Sequence, residues 1–256
     1  MAIFTGMNKA LGGTEKESQR EQFFYGLGSA LRVLTRRMNL PFRFFFTGSG
    51  ELDITNRTQV DDFVVGQRIR YILNCAAYTA VDKAESDREK AYAINAAGVE
   101  NIALVANQHG VKLIHLSTDF VFDGRSTVPY NEESEPHPLS VYGETKLKGE
   151  QLLQAVAGDW IVLRTSWLFS EYGSNFVKRM LRLMQERKQL TVVDDQRGTP
   201  TYAVDLAEMM IHILRDAEAN GWKTGIYHFS NRGETSWFGF AEAIRRIAGI
   251  EHCEIL

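Results

Sequence analysis

The sequence contains few of the features that mark several common classes of protein. Its two cysteines, Cys75 and Cys253, lie far apart among 256 residues, and no group of His, Cys or carboxylate residues has metal-site spacing. No run approaches the ~18 apolar residues that span a bilayer, and no charged leader precedes an apolar core. The net charge is −3, without the basic block typical of nucleic-acid-binding proteins. We expect a cytoplasmic protein with no metal, membrane or nucleic-acid partner.

Short β-rich runs alternate with longer helix-like stretches, and this alternation is typical of parallel βαβ units. We therefore predict an α/β fold with a doubly wound parallel sheet. The predicted strands are residues 43–47, 71–75, 111–117 and 160–165, and the predicted helices between them are 89–109 and 142–156.

After residue 166 the alternation is looser, which is typical of the loops and helices that build a substrate site beside such a sheet. The predicted elements there are helices 175–187, 203–216 and 236–248 and strands 190–193 and 226–230. We accordingly divide the chain into a dinucleotide-binding part, 1–166, and a small C-terminal substrate lobe, 167–256.

Tyr142 and Lys146 are four residues apart on a predicted helix and therefore share one face. An ammonium beside a phenol is expected to lower the phenol's pKa from about 10 toward neutrality, so that the tyrosine exchanges a proton with a carbonyl or alcohol oxygen. The lysine is also able to hydrogen-bond a ribose. The spacing alone is not specific, and a solvated surface pair is the commoner reason for it.

The apolar run 111–116 leads directly into Ser117 and Thr118. Hydroxyl groups at the carboxyl end of a strand lie where open α/β sheets bind their ligands. A hydroxyl there is able to hold a substrate carbonyl while Tyr142 supplies the proton. The alternative is a turn or capping role, which both residue types commonly play.

Five segments, in this order along the chain, match the motifs of a known family. They are residues 74–85 (NCAAYTAVDKAE), 117–124 (STDFVFDG), 138–146 (PLSVYGETK), 164–167 (RTSW) and 195–201 (DQRGTPT). With these motifs the chain resembles the extended short-chain dehydrogenase/reductases and, within them, the dTDP-4-dehydrorhamnose reductase family, from about residue 51 to residue 249. The resemblance implies reduction of the C4 ketone of dTDP-4-dehydro-L-rhamnose to dTDP-L-rhamnose, with hydride from NADPH or NADH.

The resemblance also implies roles for individual residues. Tyr142 would protonate the nascent alkoxide, Lys146 would hold the nicotinamide ribose, and Thr118 would bind the substrate oxygen. The further positions expected to line the cofactor are Gly6, Gly28, Asp53, Ile54, Ala76, Ala77 and Thr79. Those expected to face the substrate are Asp119, Trp167, Asn175 and, in a loop toward the nucleotide, Gln196. The partner is a nucleotide sugar, and a homodimer stays open.

Several of these residues have a simpler interpretation. Trp167 follows an apolar strand and is equally suited to packing against the core. Ala76 and Ala77 suit tight helix–sheet packing as well as a close approach to a ligand. His115 lies in a predicted buried strand, and we interpret it as a hydrogen-bonded core residue rather than a catalyst.

The glycine-rich turn that opens dinucleotide-binding folds is absent in its compact form. Residues 2–6 match the first strand and glycine, and residues 27–31 match the end of the turn and the start of its helix, but residues 7–26 intervene. An insertion, a divergent turn using Gly12-Gly13 or Gly26 and Gly28, and a segment altered by a reading-frame change all remain open. We favour the last, because the resemblance resumes abruptly at Leu27.

Two other departures affect the expected ligands. The acidic residue that usually follows the second strand is replaced by Thr47-Gly48-Ser49-Gly50, so repulsion of a 2′-phosphate is reduced and NADPH is at least as well suited as NADH. The chain also stops soon after the last predicted helix, where family members usually continue. These departures keep a second hypothesis open, a non-catalytic binding subunit on the same scaffold.

Overall fold

The computed structural model describes residues 2–5, 25–156 and 158–256 of the chain. The strands in chain order are β1 (Ala2–Thr5), β2 (Phe44–Thr47), β3 (Tyr71–Asn74), β4 (Lys112–Thr118), β5 (Trp160–Thr165), β6 (Leu168–Phe169), β7 (Gln189–Leu190), β8 (Arg197–Gly198), β9 (Thr201–Tyr202), β10 (Gly225–His228), β11 (Thr235–Ser236) and β12 (Glu254–Ile255).

Helices connect most of these strands. They are α1 (Tyr25–Arg37), α2 (Arg57–Gly66), α3 (Val81–Ala84), α4 (Arg88–Tyr92), α5 (Gly98–Gln108), α6 (Val141–Ala155), α7 (Phe176–Glu186), α8 (Ala203–Asn220) and α9 (Trp237–Ile247). A π-helical turn, Ala93–Ala97, joins α4 to α5, and a 3-10 turn, Asp119–Val121, follows β4. The described helices are too short or too polar to cross a membrane.

Six strands form one parallel sheet in the order β2-β1-β3-β4-β5-β10. The strand order changes direction between β1 and β3, and ligands of such sheets bind beyond the carboxyl ends of the strands at this point. We call this side of the sheet the carboxyl edge. The predicted fold class is confirmed.

Helices cover both faces of the sheet, because its central strands are apolar on both sides. Residues of α2, α5 and α6 form one buried cluster with the sheet, and residues of α1 and α8 form the cluster on the opposite face. All four residues of β3 are buried. The sheet is therefore a rigid support for the side chains at its carboxyl edge.

A third buried cluster joins α7, α9, β7 and β12 in the C-terminal part of the chain. Its centre contains Met184, Ala241 and Cys253. The division at residue 166 does not separate the two parts in space, since β10 pairs with β5 and α8 packs beside α1. The domain boundary thus stays a prediction about function.

Candidate active site

Thr118 ends β4 at the carboxyl edge and begins the 3-10 turn that follows. Its hydroxyl accepts a hydrogen bond from the backbone N–H of Phe120 at 3.2 Å and donates one to Asp119 Oδ1 at 3.1 Å. The capping role considered from the sequence is therefore present. The Tyr142 phenol lies near enough to this hydroxyl for Thr118 to affect its pKa, so the structure places two of the predicted site residues close together.

Local contacts fix the first turn of α6, which carries Tyr142. Ser140 caps the helix by accepting a hydrogen bond from the N–H of Gly143 at 3.1 Å. A Cβ at Gly143 would overlap the carbonyl oxygen of Phe120, so only glycine lets α6 approach the turn after β4 this closely. The Phe120 ring meets the Tyr142 ring edge to face at 5.5 Å.

Tyr142 is buried, and burial raises its pKa above the ordinary value because the phenolate would lose its hydration. The neighbouring Thr118 hydroxyl opposes this shift of the Tyr142 pKa, and the Asp119 carboxylate adds to it. The expectation that Lys146 lowers the Tyr142 pKa is wrong for this structure. Tyr142 is held as a neutral phenol, which is the form that donates a proton.

Lys146 lies one helical turn below Tyr142, with its side chain fully buried. Its Nζ donates a hydrogen bond to the carbonyl oxygen of Leu116 at 2.7 Å and lies 3.3 Å from His115 Nε2. Burial lowers the Lys146 pKa to about 8, and the charge of Glu150 opposes this shift. The ammonium is therefore directed toward the sheet in the described structure.

His115 is the hydrogen-bonded core residue that the sequence analysis expected. Its ring is fully buried, with Nδ1 3.0 Å from Asn74 Nδ2 and Nε2 facing Lys146. Burial, followed by the charge of Lys146, holds the His115 pKa well below its ordinary value, so the ring is neutral.

A buried ion pair lies on the same face of α6 and was not predicted. Glu150 accepts hydrogen bonds from Arg164 of β5, the shortest at 2.6 Å, and from the hydroxyl of Ser117. The Arg164 guanidinium also lies over the Phe122 ring at 5.2 Å. Charged residues in otherwise apolar buried segments were the sequence signal for this pair.

Asp119 is partly buried beside Thr118. Burial raises its pKa to about 6, and hydrogen bonds from the Thr118 hydroxyl and from backbone N–H groups oppose the shift. The carboxyl group beside Tyr142 thus changes charge in mildly acidic solution.

The expected cofactor-lining residues lie around the carboxyl end of β3. Ala76 and Ala77 are buried directly after the strand, and the Thr79 hydroxyl is buried without a hydrogen-bond partner among the described residues. An unpartnered hydroxyl beside small side chains fits a ligand with polar oxygens, such as a dinucleotide. Gly28 lies in the first turns of α1, while Gly6 lies outside the described residues.

Asn95 in the π-helical turn ties this segment to α6. Its amide accepts from the N–H of Tyr78 at 2.7 Å and donates to the Tyr78 carbonyl and to Thr145 Oγ1, both at 3.1 Å. The Thr145 hydroxyl in turn donates to the carbonyl of Tyr142. These hydrogen bonds therefore fix the expected cofactor segment, residues 76–79, in position relative to α6, which carries Tyr142.

The sequence analysis expected no acidic residue at the end of the second strand, and the structure differs from this expectation. Glu51 Oε2 accepts a hydrogen bond from the N–H of Gly48 at 2.8 Å, so a carboxylate does return to the end of β2. Asp53 accepts hydrogen bonds from the N–H and hydroxyl of Thr55, and Ile54 is buried in the core. Cofactor contacts of Asp53 and Ile54 remain predictions.

The other residues expected to face the substrate, Trp167, Asn175 and Gln196, lie in the C-terminal part of the chain. Two of them make contacts within the protein. Trp167 has a positive φ of 46°, and its ring stacks on Trp237 at 3.6 Å. Asn175 is buried and caps α7, with its Oδ1 accepting from Lys178 N–H and its Nδ2 donating to the Ser170 carbonyl. Gln196 is exposed, and no contact with a ligand is established for these positions.

Thr165 is a candidate that the sequence analysis did not single out. It ends β5 directly opposite Thr118 in the sheet register, and its hydroxyl is buried without a partner in the described part of the chain. The sequence signal that could have identified Thr165 as a candidate was its position within the matched segment 164–167.

Comparison with known proteins identifies the family. The family described as "RmlD substrate binding domain" matches residues 25–255. The dTDP-4-dehydrorhamnose reductase of Aggregatibacter actinomycetemcomitans is 46% identical over 195 residues, which cover 76% of this chain and 66% of that protein. The dTDP-4-keto-6-deoxy-D-glucose reductase of Streptomyces niveus is 38% identical over 226 residues, or 88% of this chain and 76% of the relative. The chain thus spans about two thirds to three quarters of these relatives.

A solved structure extends the match. The dTDP-4-dehydrorhamnose reductase of Bacillus anthracis, in complex with NADP, superimposes with a TM-score of 0.85 at 36% identity, covering 99% of this chain and 82% of that one. The expected resemblance to nucleotide-sugar reductases that use a nicotinamide cofactor is therefore confirmed. This chain belongs to the RmlD substrate-binding-domain family.

Proposed function

We propose that the chain is an oxidoreductase that reduces the C4 ketone of dTDP-4-dehydro-L-rhamnose to dTDP-L-rhamnose. The carrying observation is the juxtaposition of a neutral, buried Tyr142 with the hydroxyl of Thr118 at the carboxyl edge, with Lys146 one turn below. A neutral phenol beside a second hydroxyl is suited to receive a ketone oxygen and to protonate it as negative charge develops.

The cofactor in this proposal is NADPH or NADH, which supplies the hydride when bound. Ala76, Ala77 and the unpartnered Thr79 hydroxyl would hold it. The NADP present in the Bacillus anthracis relative supports the phosphorylated form, whereas the Glu51 carboxylate at the end of β2 favours an unphosphorylated ribose. Either cofactor is compatible with the proposal.

The chain's own residues then have separate tasks. Thr118, which donates to Asp119 in the described structure, turns its hydroxyl proton toward the ketone oxygen and orients it. Tyr142 donates its proton to that oxygen as the alcohol forms. Lys146 would hold the nicotinamide ribose, and the Tyr142 phenol would regain its proton from solvent after the alcohol forms.

The relatives support a thymidine-diphosphate 4-keto-6-deoxy sugar as the substrate class, since two of them are reductases named for such compounds. The configuration of the sugar belongs to the proposal. So do a cytoplasmic location and a homodimer, and sedimentation of the purified protein tests the homodimer.

Turnover tests the function directly. Purified protein is mixed with NADPH and dTDP-4-dehydro-L-rhamnose, and the absorbance of the reduced cofactor is followed. We expect Tyr142→Phe to lower kcat by about 10²–10⁴-fold because the proton donor is lost. Tyr92→Phe, at an exposed tyrosine of α4, is the matched control and should retain activity. Absence of turnover in folded protein, or full activity of Tyr142→Phe, contradicts the proposal.

A second candidate is a non-catalytic binding subunit on this scaffold. It is favoured by the 20 residues at 7–26 that separate the two halves of the expected glycine-rich turn. Titration of the purified protein with NADPH distinguishes the two, because a reductase binds the cofactor without substrate. A folded protein that binds neither NADPH nor NADH supports the binding subunit.

A further inference from the structure

A chain of hydrogen bonds crosses the sheet and ends at Lys146. The N–H of Ala76 donates to Asn74 Oδ1 at 3.1 Å, and Asn74 Nδ2 lies 3.0 Å from His115 Nδ1. His115 Nε2 lies 3.3 Å from Lys146 Nζ. Asn74 and His115 are register partners on β3 and β4, and both are fully buried. This series of hydrogen bonds therefore links the expected cofactor segment to α6.

The first links determine where the histidine carries its proton. Because the Ala76 N–H requires an acceptor, Asn74 directs its carbonyl oxygen to Ala76 and its amide N–H to His115 Nδ1. A neutral imidazole that accepts at Nδ1 has its proton on Nε2. This N–H is directed at Lys146 Nζ, which is able to accept it as a neutral amine but not as an ammonium, since an ammonium has no lone pair.

We propose that His115 is a positioning residue whose tautomer is coupled to the protonation of Lys146. With Lys146 neutral, the ring holds its proton on Nε2 and donates it to the amine. With Lys146 charged, the ammonium donates to Nε2, the ring proton is on Nδ1, and the Asn74 amide rotates to accept from it. Going from the neutral to the charged lysine adds one proton to the protein, and Lys146 Nζ then carries three.

Burial brings the charged and neutral forms of Lys146 closer in free energy. Burial keeps the His115 ring neutral and lowers the Lys146 pKa to about 8, so both forms of Lys146 are populated in mildly alkaline solution. The titratable or charged groups that face this site are His115 and Cys75 from the sheet, Tyr142 and Glu150 from α6, and Arg164 behind Glu150. The Cys75 pKa is raised by burial, so its thiol stays neutral.

The coupling has a consequence that rests on the proposed function. In the ammonium state the rotated Asn74 amide no longer accepts from the N–H of Ala76, which belongs to the expected cofactor segment and then lacks this acceptor. A ligand oxygen that accepts this N–H favours the charged lysine, and by linkage the charged lysine favours that ligand. Cofactor binding and the charge needed beside Tyr142 would then support each other.

Nitrogen NMR of the ligand-free protein tests the coupling without turnover. Imidazole nitrogens are labelled with ¹⁵N, and the ring shifts of His115, identified by their loss in His115→Gln, are followed from about pH 6.5 to 9.5. We expect the Nε2–H form at high pH and a change to the Nδ1–H form with a midpoint near 8. Lys146→Met, which keeps the apolar stem, should abolish this step.

His109 provides an internal control, because it lies outside the site and pairs with Asp61 at 2.7 Å. The ring nitrogen chemical shifts of His109 at a given pH should be the same in wild type and Lys146→Met. A single His115 tautomer over the whole pH range overturns the proposal, as does a tautomer change that persists in Lys146→Met. The wild-type titration is informative even if a variant does not fold. An inactive protein that shows the step would refute the reductase proposal and leave the coupling intact.

Discussion

The carboxyl edge around α6 and the aromatic cluster of the C-terminal part use different interactions. At the carboxyl edge, several buried polar groups make hydrogen bonds or ion pairs within the protein, as in the contacts of Thr118, Lys146 and Glu150. In the C-terminal part, Trp167 and Trp237 stack, and Phe176 and Phe240 pack against Trp237. Polar networks fix protons and charges, whereas stacked rings fix shape.

This difference predicts different responses to substitution. When a buried polar group loses its partner, no hydrogen bond offsets the free energy of its desolvation, so the effect on stability or rate is large. A partly exposed ring that is truncated loses contact area, which chiefly weakens positioning. The four substitutions below test this contrast, from the largest expected effect to the smallest.

Glu150→Gln should have the largest effect on stability. The change removes the carboxylate that pairs with Arg164, and both side chains are buried. Removing one partner of a buried ion pair costs about 3–5 kcal/mol, because the other charge is left unpaired. Urea denaturation measures the free energy of unfolding. Glu144→Gln, at an exposed position of the same helix, should change it by less than about 0.5 kcal/mol, and equal losses in the two variants would contradict the paired role.

Gly143→Ala should lower activity by about 100-fold, the effect of displacing a catalytic group by about 1 Å. The added methyl would overlap the carbonyl of Phe120, so α6 must move and carry Tyr142 away from Thr118. The matched control is Gly66→Ala, because a Cβ at Gly66 meets nothing within 4 Å. Steady-state reduction rates of the two variants are compared. Undiminished activity of Gly143→Ala would show that the close approach is unnecessary.

Much of the fold was predictable because buried parallel strands are short apolar runs. The strand expected at 160–165 has those bounds, and the helix expected at 142–156 differs by one residue at each end. The helix expected at 89–109 contains a π-helical turn, which its apolar spacing did not reveal. A Cβ at Gly149 would overlap the Asn95 carbonyl of that turn, and this close approach of α6 is a tertiary feature outside any local pattern.

The proximity of Thr118 to the helix of Tyr142 and Lys146 was predictable from the sequence, whereas the electrostatics of the candidate site were not. The four-residue spacing and the strand end brought together Tyr142, Lys146 and Thr118. The direction of the Tyr142 pKa was predicted wrongly, because burial of the phenol outweighs a lysine whose Nζ is directed at the Leu116 carbonyl. Burial depends on how elements pack, so spacing along one helix does not determine it.

Trp237→Ala tests the aromatic side of the comparison. The stacked ring supports Trp167, whose backbone has a positive φ, and an aromatic pair contributes about 0.5–1.5 kcal/mol. We expect KM for the nucleotide sugar to rise by about two- to tenfold with little change in kcat, because positioning is lost while the proton donor stays in place. Trp237→Phe should recover part of the effect. A fall in kcat without a rise in KM would contradict this assignment.

Asp119→Asn should have the smallest effect at neutral pH and a distinct pH signature. Burial raises the Asp119 pKa to about 6, so the folded protein binds this proton more tightly than the unfolded chain does. The stabilisation from the protonated carboxyl is fully present below about pH 4 and is lost as the pH rises through about 6. The variant should therefore gain stability relative to wild type over this range, as denaturation at pH 4 and pH 7 measures.

The amide of Asn at position 119 still accepts from Thr118, so the variant isolates the charge from the hydrogen bond. The Asp119 charge also raises the Tyr142 pKa, and the pH profile of kcat/KM should lose a limb near pH 6 in the variant, with rate changes of only a few-fold at pH 7. Asp62→Asn, at an exposed aspartate of α2, should keep the wild-type profile. An unchanged profile in Asp119→Asn would mean that this carboxyl group does not influence proton transfer, and the polar edge would then depend on Thr118, Tyr142 and Lys146 alone.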